Sequence, residues 1–123
     1  MSLSNEALQK LVREIETQAM QAQQQISIVR QQTASKQREM RMAQLTRSEL
    51  GALPSSTNVY EGVGKMFVAE PIPSLNDKLG KQIKTLESDV EGLGKRLHYL
   101  ETTAKNSQDH IKQILNRGGG DSS

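Results

Sequence analysis

Apolar side chains recur at a fixed interval along most of this chain. From Ser4 to about Gln44, Leu8, Ile15, Ala22 and Val29 follow one another by sevens, and Val12, Ala19, Ile26, Thr33 and Met40 repeat at the same spacing, offset by four. These are the d and a positions of a heptad, which keep one apolar stripe turned toward a partner helix. Most residues between them are Gln, Glu, Lys, Arg or Ser. Lys36 takes a d position, so the seam is expected to loosen toward the C-terminal end of this helix. A stronger series runs from about Ser74 to Arg117. Ile83, Val90, Leu97, Ala104 and Ile111 fill one heptad position, and Leu79, Leu86, Leu93, Leu100, Ser107 and Ile114 fill the other. Ser74, after Pro73, is the expected N-cap, and the glycines Gly118 to Gly120 are expected to end the helix.

Each segment has about 40 residues and so spans roughly 60 Å as a helix. Equal lengths on either side of a connection of about 30 residues predict that the chain folds back into an antiparallel coiled-coil hairpin. The expected register sets Ala22 opposite Leu97, Ile15 opposite Ala104, Ile26 opposite Leu93 and Met40 opposite Leu79, so that small residues face large ones. A register one heptad away would set Ala22 against Ala104 and leave a thin layer. The alternative is two separate helices that pair with other chains.

The connection breaks the pattern. Thr46 and Glu49 have the spacing of a capping box, which predicts a short helical turn after Gln44, ended by "PSST" at Pro54 to Thr57. "NVYEGVGKMFV", Asn58 to Val68, then reads as two short strands joined by a turn at Gly64 and Lys65, with glycine supplying the positive φ. That turn pairs Val63 with Met66, Gly62 with Phe67, Glu61 with Val68 and Tyr60 with Ala69, and the Phe67 ring lies over bare backbone at Gly62. "EPIPS", with Pro71 and Pro73, directs the chain into the second helix. An isolated two-stranded hairpin is marginal in water and exposes both edges. Val59, Tyr60, Gly62, Val63, Gly64, Met66, Phe67 and Val68 are therefore read as an assembly element completed by other subunits. The local alternative is a hairpin folded onto its own helix ends.

Composition agrees with a seam rather than a globular core. Of 123 residues, 34% are hydrophobic and 2% aromatic, against roughly 45–50% apolar in ordinary domains. Sixteen basic and 14 acidic residues leave a net charge of +2, too little for a field that steers the chain to nucleic acid or anionic membrane. There is no Cys, which removes disulfides, thiolate nucleophiles and cysteine-based zinc sites. "GVG" at Gly62 to Gly64 lacks the remainder of any phosphate-binding fingerprint. His98 and His110 lie off the seam, and no metal, cofactor or catalytic residue is assigned. The basic residues Arg30, Lys36, Arg38, Arg41 and Arg47 have no aromatics among them to stack bases, so they are read as a solvated helix face. No leader and no membrane span are expected; the expectation is a soluble cytoplasmic protein, with the nucleus also open.

The whole reading is mainly α, one domain over residues 1–123. It has a helix at 4–44, a linker at 45–57, a hairpin at 58–69, a helix at 74–117 and a flexible tail at 118–123. This order of helix, β-hairpin and helix resembles the β-type subunits of prefoldin. "NVYEGVGKMFV" looks very like the hairpin of the subunit 1 branch, and "LTRSEL" before it and "PSLNDKL" after it sit where that family's chain turns in and out of the hairpin.

The resemblance implies a heterohexamer of two α-type and four β-type subunits, with the hairpins forming a β-barrel platform from which the coiled coils hang. It implies ATP-independent binding of unfolded chains such as actin and tubulin at the distal tips, and their delivery to the cytosolic group II chaperonin. In an antiparallel hairpin that tip is made by the two chain ends, where heptad pairing runs out. Leu3, Leu8, Leu11, Ile111, Ile114 and Leu115 are the candidate client-binding residues, with Leu11 and Leu115 singled out because they lie off the a/d set. A structural coiled-coil tether would use the same helices without needing the hairpin. An RNA-binding helical arm is the weakest alternative.

Overall fold

The computed structural model describes residues 4–120. The element order is α1 (Asn5–Ala52), β1 (Val59–Val63), β2 (Met66–Glu70) and α2 (Ile72–Gly120). Two compact units are present: residues up to Gln32 together with those from Leu93 onward, and Thr33–Gly92.

Ser4 starts α1. Its hydroxyl accepts a hydrogen bond from the Ala7 amide (3.2 Å) and its carbonyl one from the Leu8 amide (3.0 Å), which satisfies amides that have no partner inside the helix. The helix does not stop near Gln44, as expected, but runs to Ala52. The heptad explains why. Counting on by sevens from Val29, the series passes Lys36 and reaches Ala43 and Leu50, and both are buried. Two further apolar layers carry the helix through the segment read as a linker. Thr46 caps nothing; its hydroxyl donates to the Met42 carbonyl one turn back (2.8 Å), an intrahelical bond common for threonine. Amide bonds from Leu53 to the Leu50 carbonyl and from Thr57 to the Pro54 carbonyl then close the turns that lead to β1.

The second helix also begins earlier than expected. Pro71 precedes it, and the Pro71 carbonyl accepts the first helical bond from the Leu75 amide (3.0 Å). Pro73 sits in the first turn, where an absent N–H costs nothing. Ser74 is therefore inside the helix and is not its N-cap. At the other end, the backbone stays helical through Gly120, so the glycines expected to end the helix belong to it; the rest of the expected tail lies outside the described residues.

The register departs from expectation by one heptad. In the chain-end unit, Ala22, Ile26 and Ala104 form one buried cluster with Leu97 and Leu100 packed against it. Arg30 Nη2 reaches Glu101 Oε1 at 3.0 Å on one flank, and Arg96 Nη2 reaches Gln25 Oε1 at 3.4 Å on the other. In the other unit, Lys36 pairs with Asp89 (3.5 Å). These contacts belong to the register that places Ala22 opposite Ala104. Because α1 continues to Ala52 while α2 starts at Ile72, the point of reversal lies further along the chain, and the register moves with it. The two alanines permit close approach of the helices, and the larger Ile26, Leu97 and Leu100 fill the space on either side.

Candidate functional site

The two strands pair antiparallel as the sequence predicts, Tyr60 with Ala69, Glu61 with Val68, Gly62 with Phe67 and Val63 with Met66, and one further pair, Val59 with Glu70, extends the ladder past the expected end at Ala69. Gly64 has φ of 61° and is the one described residue with positive φ. Positive φ at the first turn residue alone is the geometry that matches the twist of a two-residue hairpin. A Cβ at Gly62 would lie 3.7 Å from the Phe67 ring, so the ring does cover that bare backbone.

Alternation along each strand divides the hairpin into two faces. Tyr60, Gly62, Phe67 and Ala69 share one. Tyr60 is 59% exposed and Phe67, the chain's single phenylalanine, 77%. Val59, Glu61, Val63, Met66, Val68 and Glu70 share the other, where Val63, Met66 and Val68 are also exposed. Only Val59, Glu61 and Glu70 are half-buried. This is more apolar surface than a free two-stranded sheet shelters, and it sits on paired strands whose outer edges carry unpaired backbone groups.

The two glutamates explain what is half-buried. Lys78, in the second turn of α2, donates to Glu70 Oε1 at 2.6 Å and to Glu61 Oε2 at 3.1 Å. The Ser74 hydroxyl, one turn earlier, also donates to Glu70 Oε1 (3.2 Å). One ammonium and one hydroxyl of α2 thus hold a carboxylate from each strand. The Glu70 carboxyl is held below its usual range, first by side-chain hydrogen bonding with Glu61 and then by Lys78 and Ser74. Lys78 is pushed up, chiefly by its bond to Glu70 and then by Glu61.

A second apolar feature lies at the chain ends. Leu8, Val12, Ile114 and Leu115 line a groove of about 480 Å³, rimmed by Asn5, Gln9, Arg13 and Glu16. Leu115 is 58% exposed, whereas Leu8, Val12 and Ile114 are half-buried. Leu11 and Ile111 are half-buried too but do not line the groove. The pairing of Arg30 with Glu101 on one flank and Gln25 with Arg96 on the other, extended by heptads, sets Leu115 and Leu11 on opposite flanks. Of the two leucines singled out from the sequence, the groove takes only Leu115. Leu3 lies outside the described residues. Val12 was missed because it satisfies the a position; that it lies in the first turns of α1, close to the chain end, was the available signal.

Of the basic stretch, Arg30 and Lys36 bond acidic residues on the opposite helix. His98 and His110 are exposed. Among the described residues no group of three or more His, Asp or Glu is placed to hold a metal, and no helix is long and apolar enough to cross a membrane.

Comparison with known proteins gives one consistent answer. The family model described as prefoldin subunit matches residues 6–117. A probable prefoldin subunit 1 of Schizosaccharomyces pombe is 33% identical over 107 residues, covering 87% of this chain and 96% of that protein. Human prefoldin subunit 1 is 30% identical over 108 residues, covering 88% of each. Among solved structures, the prefoldin β subunit from Thermococcus strain KS-1 superposes with a TM-score of 0.79 at 28% identity, over 85% of this chain and 92% of that one. Two long helices, a two-stranded hairpin with this register and a family match over nearly the whole length place the chain in the prefoldin subunit family, as a β-type member similar to subunit 1.

Proposed function

We propose that this chain is a β-type subunit of a heterohexameric, ATP-independent co-chaperone, with two α-type and four β-type chains. Its hairpin joins those of neighbouring subunits in a shared β-barrel, and its chain-end groove takes part in holding unfolded polypeptides of the actin and tubulin class. The complex then delivers them to the cytosolic group II chaperonin, and the site of action is the cytoplasm. The observation that carries this reading is the exposure of Tyr60, Val63, Met66, Phe67 and Val68 on a hairpin whose edges are open. Subunits of like fold satisfy both requirements at once, since added strands pair the edges and their side chains cover the faces.

The groove suits clients that share no sequence. Leu8, Val12, Ile114 and Leu115 offer apolar area without a deep pocket, and the rim carries both charges and neutral amides, so no one sign of client charge is selected. Weak grooves on several arms act together through effective concentration. No chemical step is required, and none is assigned to any residue.

The test is the native mass of the tagged protein isolated from its own cells, with the co-purifying chains identified. Six chains, near six times 13.6 kDa, with distinct partners of similar size, is the expected result. A monomer, or a fixed pair with one large partner, would replace the co-chaperone reading with that of a structural tether.

A further inference from the structure

Apolar packing does little to orient the hairpin, because Tyr60, Val63, Met66, Phe67 and Val68 all stand in solvent. The polar ties are concentrated at one place. Glu70, Ser74 and Lys78 follow at intervals of four, which puts Ser74 and Lys78 on one stripe of α2, directly after the strand that carries Glu70. Lys78 Nζ bonds that carboxylate and Glu61 of the other strand, at 2.6 and 3.1 Å. Glu61 and Glu70 occupy the same face of the hairpin, diagonal to each other across the strand pair. One cation therefore restrains both strands, and a rotation of the hairpin about its junction at Pro71 breaks both bonds together.

We infer that Lys78 is a positioning residue for subunit assembly: its ammonium, shared between Glu61 and Glu70, fixes the pose in which the hairpin is offered to neighbouring chains. This deepens the proposed function and rests on its reading of the hairpin as the assembly element. The Lys78 side chain is 56% exposed, and an exposed ion pair adds little to the stability of a fold. Its effect is on the fraction of chains whose hairpin is held ready to pair. Apparent affinity for partners falls in proportion to that fraction. Removing the cation also leaves two carboxylates facing each other, which drives the strands from the same pose.

The chain has no cysteine, so spin labels on two introduced cysteines report one distance without further changes. We would label Lys65→Cys in the hairpin turn and Lys81→Cys on α2, and measure the distance distribution in the free chain. Assembly with partner subunits would be titrated in parallel for wild type, Lys78→Met, Lys78→Arg and the neutral triple variant Lys78→Met with Glu61→Gln and Glu70→Gln. The expected result is a narrow distribution for wild type and Lys78→Arg, and a broad one for Lys78→Met. The Lys78→Met chain would show about a tenfold weaker apparent affinity for partners, with unchanged helix content and melting temperature. The triple variant would recover only part of that loss, since it removes the repulsion but does not restore the tie. A distribution in Lys78→Met as narrow as in wild type would overturn the inference, as would a broad distribution with full assembly. If wild type itself joined no partner, the reading of the hairpin as an assembly element would fail, and the distances alone would still decide whether Lys78 fixes the pose.

Discussion

The chain-end unit and the hairpin-bearing unit use apolar residues in opposite ways. In the first, Ile15, Ala22, Ile26, Val29 and Ala104 are buried in the seam, and the exposed large side chains, Met20, Ile28, Tyr99 and Leu115, are scattered. In the second, the seam residues Ala43, Leu50, Ile83 and Leu86 are buried as well. Yet Met42, Leu45, Leu53, Tyr60, Val63, Met66, Phe67 and Val68 are all exposed within one stretch of chain. In the proposed co-chaperone, a groove that meets changing clients must stay small for the chain to remain soluble, whereas a surface permanently covered in the assembly can be large. The difference in exposed apolar area is what such a pair of sites requires.

The largest expected effect tests the seam of the chain-end unit. Ile26→Ala removes a side chain that is 4% exposed and should cost about 2–5 kcal/mol, as core truncations do, read as a shift of the circular-dichroism denaturation curve. Phe67→Ala tests the other side. With its ring 77% exposed, the free chain should keep its stability within about 0.5 kcal/mol. Assembly should weaken by about 2 kcal/mol, the scale of an aromatic hot spot, measured by native mass spectrometry against partner chains. A Phe67→Ala chain that assembles normally would erase the contrast between the units.

Leu115→Gln should leave both folding and assembly intact and lower protection of a denatured client from aggregation, by about 1 kcal/mol per groove. Leu11→Gln, off the groove, should do less in the same light-scattering assay. The tie between hairpin and α2 gives a pH signature. Because the Glu70 carboxyl is held below its usual 4.5, its contribution is present above that value and is lost as pH falls through the lowered one. Lys78 is raised above its usual 10.5, so its contribution is present below that value and is lost as pH rises past the raised one. Between these limits the hairpin-to-α2 distance distribution of wild type should stay narrow, and it should broaden in acid toward that of Glu70→Gln. The smallest effect concerns Gly92 and Gly94, beside which an added Cβ meets nothing within 4 Å. Alanine at either should raise stability by up to about 1 kcal/mol, with assembly unchanged.

How far such features could be read in advance differed with their range in sequence. The hairpin is legible in all but its outermost pair, since turn chemistry at Gly64 and alternation along each strand are local. The end of α1 is not legible locally, because Thr46, Glu49 and Pro54 have the look of punctuation while Ala43 and Leu50 continue the heptad beyond Lys36. The stripe Glu70, Ser74 and Lys78 was visible at helical spacing, but Glu61 joins it only through the strand pairing, so the cluster escaped notice. Of the residues lining the chain-end groove, Leu8, Ile114 and Leu115 are among those the sequence singles out, and Val12 is not.

The heptads and the turn by themselves determined two long helices and a two-stranded hairpin, because each depends on contacts a few residues apart or on a strict repeat. Choosing between registers one heptad apart was beyond them, since a periodic pattern matches itself after every repeat. Only the tertiary structure decided that, through where α1 ends, how closely Ala22 approaches Ala104, and which charges meet across the helices. It also decided which leucine at the chain ends lines a groove, because the flank a residue faces follows from the register.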